Sequence, residues 1–291
     1  MKKLFIAIFL FIGFTSFLQA QTVEEVINSF VEANGGIEKL TSIKSLQIES
    51  VMNLEQMGSS ATVTFIREKD KLFRVQSTNP MGGNEESYTI ITDTVGYTYV
   101  PAFNSPMGSM EASLTKFTPE ELAAAAYQKD CEGFFAPLVN YAIKGHTPTL
   151  EKSEKVNGVD CYKVDLKLKT GQELTYFISK ANYQVRRVQT SVPIAFEMMG
   201  MSAMNRAFRG GGGRERRNEN NNEERGGERP NRNQRERGNR KIDIDYEKYK
   251  LFNGIPFPTK QTVQLGMMQL ALENTHFKIN EPINPKWYLV Q

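Results

Sequence analysis

The sequence has few of the histidines and cysteines that commonly serve in catalysis and metal binding. Its 291 residues include two histidines, two cysteines and one tryptophan. Neither His146 nor His276 stands at a metal-ligand spacing, and there is no Cys-x-x-Cys pair, phosphate-binding glycine loop or nucleophile elbow. These absences argue against an enzyme, a metal site and a bound cofactor, and we expect none of the three.

The two cysteines allow at most one disulfide bridge. Cys131 opens an aromatic-rich stretch, and Cys161 lies in a segment that alternates like a strand. An oxidising compartment permits a bridge between them, but cysteine also packs as a small buried hydrophobe. Two separate buried thiols are the preferred interpretation, and a Cys131–Cys161 bridge is the alternative.

One apolar run stands out, and it is at the N-terminus. Lys2 and Lys3 precede the run Leu4–Phe14, and a small-polar stretch ends at Ala20. This order is typical of a cleaved signal peptide. The alternative is a membrane anchor, but the run is shorter than the roughly 20 residues that span a bilayer. We predict that residues 1–20 are removed and that the protein is exported to the periplasm without a lipidation cysteine.

The charge is unevenly distributed along the chain. Between Arg206 and Lys241 eleven Arg and one Lys face six Glu, so the rest of the chain carries about −3 of the overall net charge of +3. The segment at about 209–240 is rich in Arg, Asn, Gly and Glu and has almost no apolar residue, so it cannot bury a core. We predict a single domain, 21–291, interrupted there by a disordered loop. Such an insertion costs the fold little stability, because loop-closure entropy rises slowly with length.

That Arg-rich segment has two possible roles. Export argues against nucleic acid as its partner. Anionic headgroups or lipopolysaccharide phosphates would attract its arginines, but the interleaved glutamates weaken that attraction. A solvated spacer without a specific partner is the preferred interpretation.

Patterning predicts an α+β fold with mostly antiparallel strands. Thr22 and Glu25 form a capping box before an amphipathic helix, and Thr118 and Glu121 repeat the signal before an Ala-rich helical stretch. Between and after these helices, apolar residues alternate with polar ones over many short segments separated by turn residues. Hairpin-length connections favour a strongly curved antiparallel sheet.

Methionine is the residue type in excess, with twelve in the chain. Thioethers bind copper(I) in an oxidising compartment, and they also make deformable linings for flexible ligands. Ordinary core packing is the third interpretation, and the sequence leaves all three open.

Several segments resemble the periplasmic outer-membrane lipoprotein carriers, the LolA/LolB-like family. Val63–Arg67, followed by Lys71–Arg74 and Asn79-Pro80, is similar to that family's strand–Arg–turn–strand segment, with Glu68 at a position that is often Pro. Ile91–Pro101 is similar to a second family strand, although Thr94 replaces the expected Gly. Asn157–Tyr162 and the hairpin after it are similar to a third.

The resemblance implies an unclosed β-barrel around an apolar cavity, with the N-terminal helix and the central helices as a lid. It implies a carrier of acyl chains, and it implies that Arg67 helps to control lid opening by hydrogen-bonding lid backbone. The candidate lining and lid residues for ligand binding are aromatic: Phe65, Phe73, Tyr97, Tyr99, Phe134 and Phe135.

The favoured hypothesis is a periplasmic binding protein, monomeric, that takes up an acylated lipoprotein or another lipid ligand. Without a nucleotide-binding loop it would depend on an inner-membrane transporter for loading and an outer-membrane acceptor for unloading. The alternative is a non-carrier interaction or sensor protein of the cell envelope on the same fold.

Overall fold

The computed structural model describes residues 21–54, 58–78, 86–105, 108–201, 241–265 and 268–290. The predicted signal peptide and the predicted loop at about 209–240 lie outside these ranges. The α-helices within them are α1 (Val23–Ala33), α2 (Ile37–Thr41), α3 (Pro119–Ala124) and α4 (Val192–Met198). None of these helices is long and apolar enough to cross a membrane. The strands are β1 (Ser45–Leu54), β2 (Ser59–Glu68), β3 (Leu72–Thr78), β4 (Glu86–Ile91), β5 (Gly96–Val100), β6 (Phe103–Ser105), β7 (Gly108–Met110), β8 (Ser113–Lys116), β9 (Thr147–Val156), β10 (Val159–Lys167), β11 (Glu173–Ser179), β12 (Val185–Ser191), β13 (Lys241–Phe252), β14 (Ile255–Leu265) and β15 (Met268–Ile279).

Thirteen of the strands form one antiparallel sheet, in the order β8-β5-β4-β3-β2-β1-β15-β14-β13-β12-β11-β10-β9. The pairing of β1 with β15, which sets Leu46 opposite Ile279, joins an N-terminal and a C-terminal meander. Strands β8 and β9 each have one neighbour, so the sheet is open. This confirms the predicted α+β fold with an unclosed antiparallel barrel.

The concave face of the sheet carries the main core. Alternate side chains of β2, namely Ala61, Val63 and Phe65, are buried there, as the alternation predicted. Helix α1 lies against this face and buries Val26, Ile27, Phe30 and Val31. The capping box predicted at the start of α1 is present, and a second one is present at the start of α3.

One polar pair interrupts the apolar lining. The register of β1 against β15 shifts between Glu49 and Ser50, which marks a bulge. Ser50 Oγ donates a hydrogen bond to Asn274 Oδ1 at 2.8 Å, and Asn274 Nδ2 donates to Pro258 O at 2.7 Å. Ser50 therefore occupies an apolar position of the pattern without leaving a buried hydroxyl unpaired.

The convex face carries a smaller cluster of Ile66, Leu72, Tyr88 and Ile90, which the C-terminal residues Ile283 and Trp287 partly cover. Arg74 lies in the same layer, with its guanidinium carbon 4.2 Å from the centre of the Tyr88 ring. Its Nη1 donates to the carbonyl of Leu289 at 2.8 Å. The chain end is thus tied to the outside of β3 and β4.

The segment 117–146, called the lid segment here, connects the two free edges of the sheet because β8 precedes it and β9 follows it. The Ala-rich helical stretch predicted after Glu121 is short: α3 ends at Ala124, and Ala126–Lys129 is a 3-10 helix. Between Phe134 and Val139 the chain forms only a 3-10 turn, Ala136–Leu138, since Pro137 limits its length.

Helix α4 and the residues that follow it also pack on the concave face. Met199 and Met201 are buried, and Gly200 lies against β2 and β3. A Cβ at Gly200 would overlap Cγ1 of Val63, and the Gly200 φ of +75° favours glycine. The close approach therefore depends on glycine.

Gly200→Ala tests this docking, and Gly158→Ala is its matched control. Gly158 has a φ of +82° but nothing within 4 Å of an added Cβ. Both variants carry the strain of left-handed backbone, about 1–2 kcal/mol, whereas overpacking at Gly200 adds about 1–3 kcal/mol. Urea unfolding should show the larger loss for Gly200→Ala, and equal losses would contradict the docking of α4.

Candidate functional site

A cavity of about 60 Å³ lies between the sheet, the lid segment and α4. Its walls contain the sheet residues Phe65, Arg67, Phe73, Leu174 and Tyr176, the lid residues Tyr127, Gln128, Asp130 and Phe134–Pro137, and the α4 residues Glu197 and Met198. An engineered apolar cavity that binds benzene has a volume of about 150 Å³. The cavity therefore has room for a few water-sized groups and not for a long chain.

Phe134 and Phe135, called the aromatic plug here, fill the centre of the concave face. The Phe135 ring lies edge-on to Tyr246 at 5.0 Å between centroids and to Tyr176 at 6.2 Å. Phe134 makes the same kind of contact with Tyr246 at 5.8 Å. Edge-to-face pairs contribute roughly 0.5–1.5 kcal/mol each beyond area burial. The plug thus belongs to the lid segment but packs as core.

Arg67 is the sheet cation in the cavity wall, near the end of β2. Its Nε is buried without a hydrogen-bond partner in the described ranges, and its guanidinium carbon is 5.8 Å from the centre of the Phe73 ring. Burial lowers the pKa of Arg67, and the nearby Cys131 and Asp130 oppose that shift in part. Among the described residues, no hydrogen bond joins the guanidinium to lid backbone, so the role that the family resemblance implied for Arg67 remains a prediction.

Four charged side chains, Lys69, Asp130, Glu132 and Lys144, form what we call the lid ion cluster. Glu132 pairs with Lys69 at 2.6 Å and with Lys144 at 3.1 Å, and Lys144 also pairs with Asp130 at 2.9 Å. Lys144 Nζ further donates to the Ala136 carbonyl at 2.8 Å. Since Lys69 belongs to the β2–β3 turn, the cluster fastens the lid segment to the sheet.

The two carboxylates of the cluster respond differently to their surroundings. Burial raises the pKa of Glu132, but the hydrogen bond from Lys69 and the charge of Lys144 outweigh it, so this pKa lies below its ordinary value. Burial dominates at Asp130 and raises the pKa of that carboxyl despite Lys144. Glu132 is therefore the carboxylate that stabilises the closed lid in its charged form.

The structure brings together five of the seven predicted site residues: Phe65, Arg67, Phe73, Phe134 and Phe135. The other two, Tyr97 and Tyr99, lie on the convex face in the cluster of Tyr88 and Ile90. The register explains their position, because Tyr99 pairs with Tyr88 and Tyr97 with Ile90, and paired residues share a face. Gly96, Thr98 and Val100 are the β5 residues on the opposite face.

Apart from Arg67, sequence reasoning missed the polar members of the site. Gln128, Asp130 and Glu197 line the cavity, and Asp130 connects it to the lid ion cluster. The available signal was the group Asp130-Cys131-Glu132, two acids next to an aromatic run, with Lys144 following twelve residues after Glu132. The alternation of β11 contained Tyr176 but did not show which ring it would meet.

Sulfur chemistry is limited to packing in the described residues. Cys131 and Cys161 are both free and buried, as the preferred interpretation had it. Met52, Met199 and Met201 belong to the core, and Met198 lines the cavity. Over the described ranges, no three His, Cys, Asp or Glu side chains are grouped as metal ligands.

The fold and the cavity define a class of protein: an open, curved antiparallel sheet whose concave face is covered by a helix and a lid. Solved structures of similar fold include a LolA superfamily protein from Nitrosomonas europaea, at 10% identity and a TM-score of 0.49, covering 93% of this chain and 99% of that chain. An outer-membrane lipoprotein-sorting protein domain from Vibrio parahaemolyticus follows at 10% identity, a TM-score of 0.47 and coverages of 90% and 94%.

A DUF1329 family protein from Desulfovibrio piger is also similar, at 12% identity and a TM-score of 0.40, covering 92% of this chain and 98% of that chain. No protein-family model matches the sequence, and no curated protein is similar to it. The LolA/LolB-like family that the sequence resembles is thus also the family named among the solved structures. At these identities the similarity concerns the fold alone.

Glu132→Gln tests whether the lid ion cluster holds the lid. Breaking a buried ion pair costs roughly 3–5 kcal/mol, and because Lys69 is 29% exposed we expect a loss of about 2 kcal/mol in the free energy of unfolding at pH 7. The control is Glu154→Gln, since Glu154 pairs with Lys163 at the same 2.6 Å but is 51% exposed. That loss should stay below about 1 kcal/mol.

The stability difference between the parent protein and Glu132→Gln should also depend on pH in a defined direction. Because the pKa of Glu132 lies below its ordinary value, its contribution is present above that ordinary value and is lost as the pH falls through the lowered pKa. The difference between the parent protein and Glu132→Gln should therefore shrink in acid. A difference that is unchanged across that range would rule out the charged carboxylate as its source.

Proposed function

We propose that this protein is a periplasmic carrier that shelters the acyl chains of a lipoprotein, or of another lipid, inside the curved sheet. The observation that supports the proposal most is the aromatic plug. The centre of the container is filled by Phe134 and Phe135, which belong to the lid segment and not to the sheet. Moving one loop would therefore expose a continuous apolar wall without breaking any strand pairing.

The lid segment is suited to such a movement. Its regular structure is α3 of six residues and two 3-10 helices of four and three residues. Short elements of this kind hold little stability of their own, so the plug and the lid ion cluster decide whether the segment stays closed. The sheet beneath is held by long antiparallel ladders and can remain intact.

The energetics allow both uptake and release. Burying an acyl chain contributes roughly 0.8 kcal/mol per methylene, on the order of 10 kcal/mol gross for one long chain. Displacing the plug and opening the lid ion cluster offset part of that gain, so the net affinity is lower than the gross burial. A ligand that has displaced the aromatic plug can be transferred to an acceptor that binds it more tightly.

The partners follow from the chemistry of such a cargo. The N-terminal sequence favours export, and a chain without a nucleotide-binding loop needs an energised inner-membrane transporter for loading. Unloading requires an outer-membrane acceptor. The proposal assigns the polar groups of the cavity to binding and gives none of them a catalytic role.

Phe135→Leu tests the plug, with Phe177→Leu as the control. Phe177 is 3% exposed and Phe135 is 4% exposed, but Phe177 belongs to a separate cluster with Val156 and Cys161. Both variants should lose stability, whereas only Phe135→Leu should gain affinity for a fatty acid, because its interior is easier to vacate. Thermal unfolding with and without ligand measures this, since a ligand stabilises in proportion to RT ln(1 + [L]/Kd).

Native mass spectrometry of the protein purified from the periplasm provides a direct readout. We expect one acyl species per chain, released on denaturation. A protein free of lipid, together with no ligand-induced stabilisation of either the parent or Phe135→Leu, would refute the carrier. Ligand stabilisation of Phe177→Leu above that of the parent would show that any loss of packing creates the effect.

The second candidate is a non-carrier interaction or sensor protein of the envelope. One observation favours it: the interior is filled by the protein's own side chains, and the cavity holds about 60 Å³. Such a protein would use the fold as a rigid support. Deleting residues 209–240 distinguishes the two, because a carrier retains lipid binding whereas an interaction protein that uses this segment loses its partner.

A further inference from the structure

Resting on the proposed function, we propose that Arg67 binds the anionic group, a carboxylate or a phosphate, of the acyl ligand. The ligand class would then be an acidic amphiphile, with its chain against the aromatic wall and its charged group on the guanidinium.

The first observation is the position of the Arg67 side chain. It is the cation in a sheet wall otherwise built of Phe65 on the same strand, Phe73 on β3, and Leu174 and Tyr176 on β11. Its Nε is buried and has no hydrogen-bond partner among the residues that the structure describes. A buried donor without a partner costs free energy, so the apolar container holds a polar group that its own side chains do not satisfy.

The second observation is that the neighbouring acids are occupied elsewhere. Asp130 pairs with Lys144, and Glu132 pairs with both Lys69 and Lys144. Among the described residues, no carboxylate lies within ion-pairing distance of the Arg67 guanidinium. The lid ion cluster balances two lysines with two carboxylates, which leaves the charge of Arg67 outside it.

The third observation concerns the remaining polar groups of the cavity. Glu197 accepts a hydrogen bond from Gln128 Nε2 at 2.6 Å, so this carboxylate is directed towards Gln128. Gln128 Oε1, which is an acceptor, and the Tyr246 hydroxyl are buried without partners among the described residues. Tyr246 is not part of the cavity lining, but it interacts electrostatically with Arg67, and its hydroxyl can donate to an anion as well.

The chemistry of the side chain selects the ligand. A guanidinium presents a planar fork of donors that matches carboxylate and phosphate oxygens in two parallel hydrogen bonds. Burial lowers the pKa of Arg67, which reflects the cost of a charge removed from water. An incoming anion offsets that cost, whereas a neutral head leaves it unchanged.

The experiment compares three probes of one chain length: dodecanoate, dodecyl phosphate and dodecan-1-ol. Calorimetric titration of the delipidated mature protein at pH 8 should give dissociation constants at least about tenfold lower for the anions than for the alcohol, as expected of a charged hydrogen-bond pair. The tighter of the two anions identifies the head group as carboxylate or phosphate.

Arg67→Gln should raise both anion dissociation constants to that of the alcohol and leave the alcohol unchanged. The matched control is Arg74→Gln, because Arg74 is an arginine on the neighbouring strand β3 that is buried on the convex side, against Tyr88 and the C-terminal carbonyls. This control should keep the anion preference.

The outcomes separate this inference from the function beneath it. Equal affinities of the unaltered protein for all three probes would overturn the inference, whatever Arg67→Gln does to folding. A preference that survives in a folded Arg67→Gln would overturn it as well. If the unaltered protein binds none of the probes, the proposed carrier function itself fails.

Discussion

The pairing of β1 with β15 is the constraint on which the rest of the structure depends. It joins residues more than two hundred positions apart, with Leu46 opposite Ile279, and so turns two meanders into one sheet. Because this seam is in the middle of the sheet, the free edges are β8 and β9, the strands that flank the lid segment. The lid must therefore cross between the two edges of the open barrel.

The packing on the concave face follows from this strand order. Helix α1, the aromatic plug and α4 enter the concave face from three different places in the chain, and the plug makes edge-on ring contacts with Tyr176 and Tyr246. The ring contacts of the aromatic plug and the ion pairs of the lid ion cluster hold the same lid segment in place. Both sets of contacts involve the lid segment, and Arg67 lies in the cavity wall beside it.

Much of the architecture was predictable because its causes are local. Capping boxes at Thr22 and Thr118 mark helix starts through hydrogen bonds three residues apart, and alternation along β2 places Phe65 and Arg67 on one face. The same reasoning failed for Tyr97 and Tyr99. In β3 and β4 both faces of the sheet bury apolar side chains, so periodicity alone cannot tell the interior from the convex cluster.

The sequence by itself determined the β-rich antiparallel class and the N-terminal helix, since these follow from short-range patterns, and its family resemblance made Phe134 and Phe135 candidates. Only the tertiary structure decided which aromatics share the cavity, that Glu132 reaches both Lys69 and Lys144, and that Arg67 has no paired carboxylate within the described part of the chain. The reason is physical: register, burial and ion pairing depend on segments that are distant in the chain and meet only when the sheet has formed.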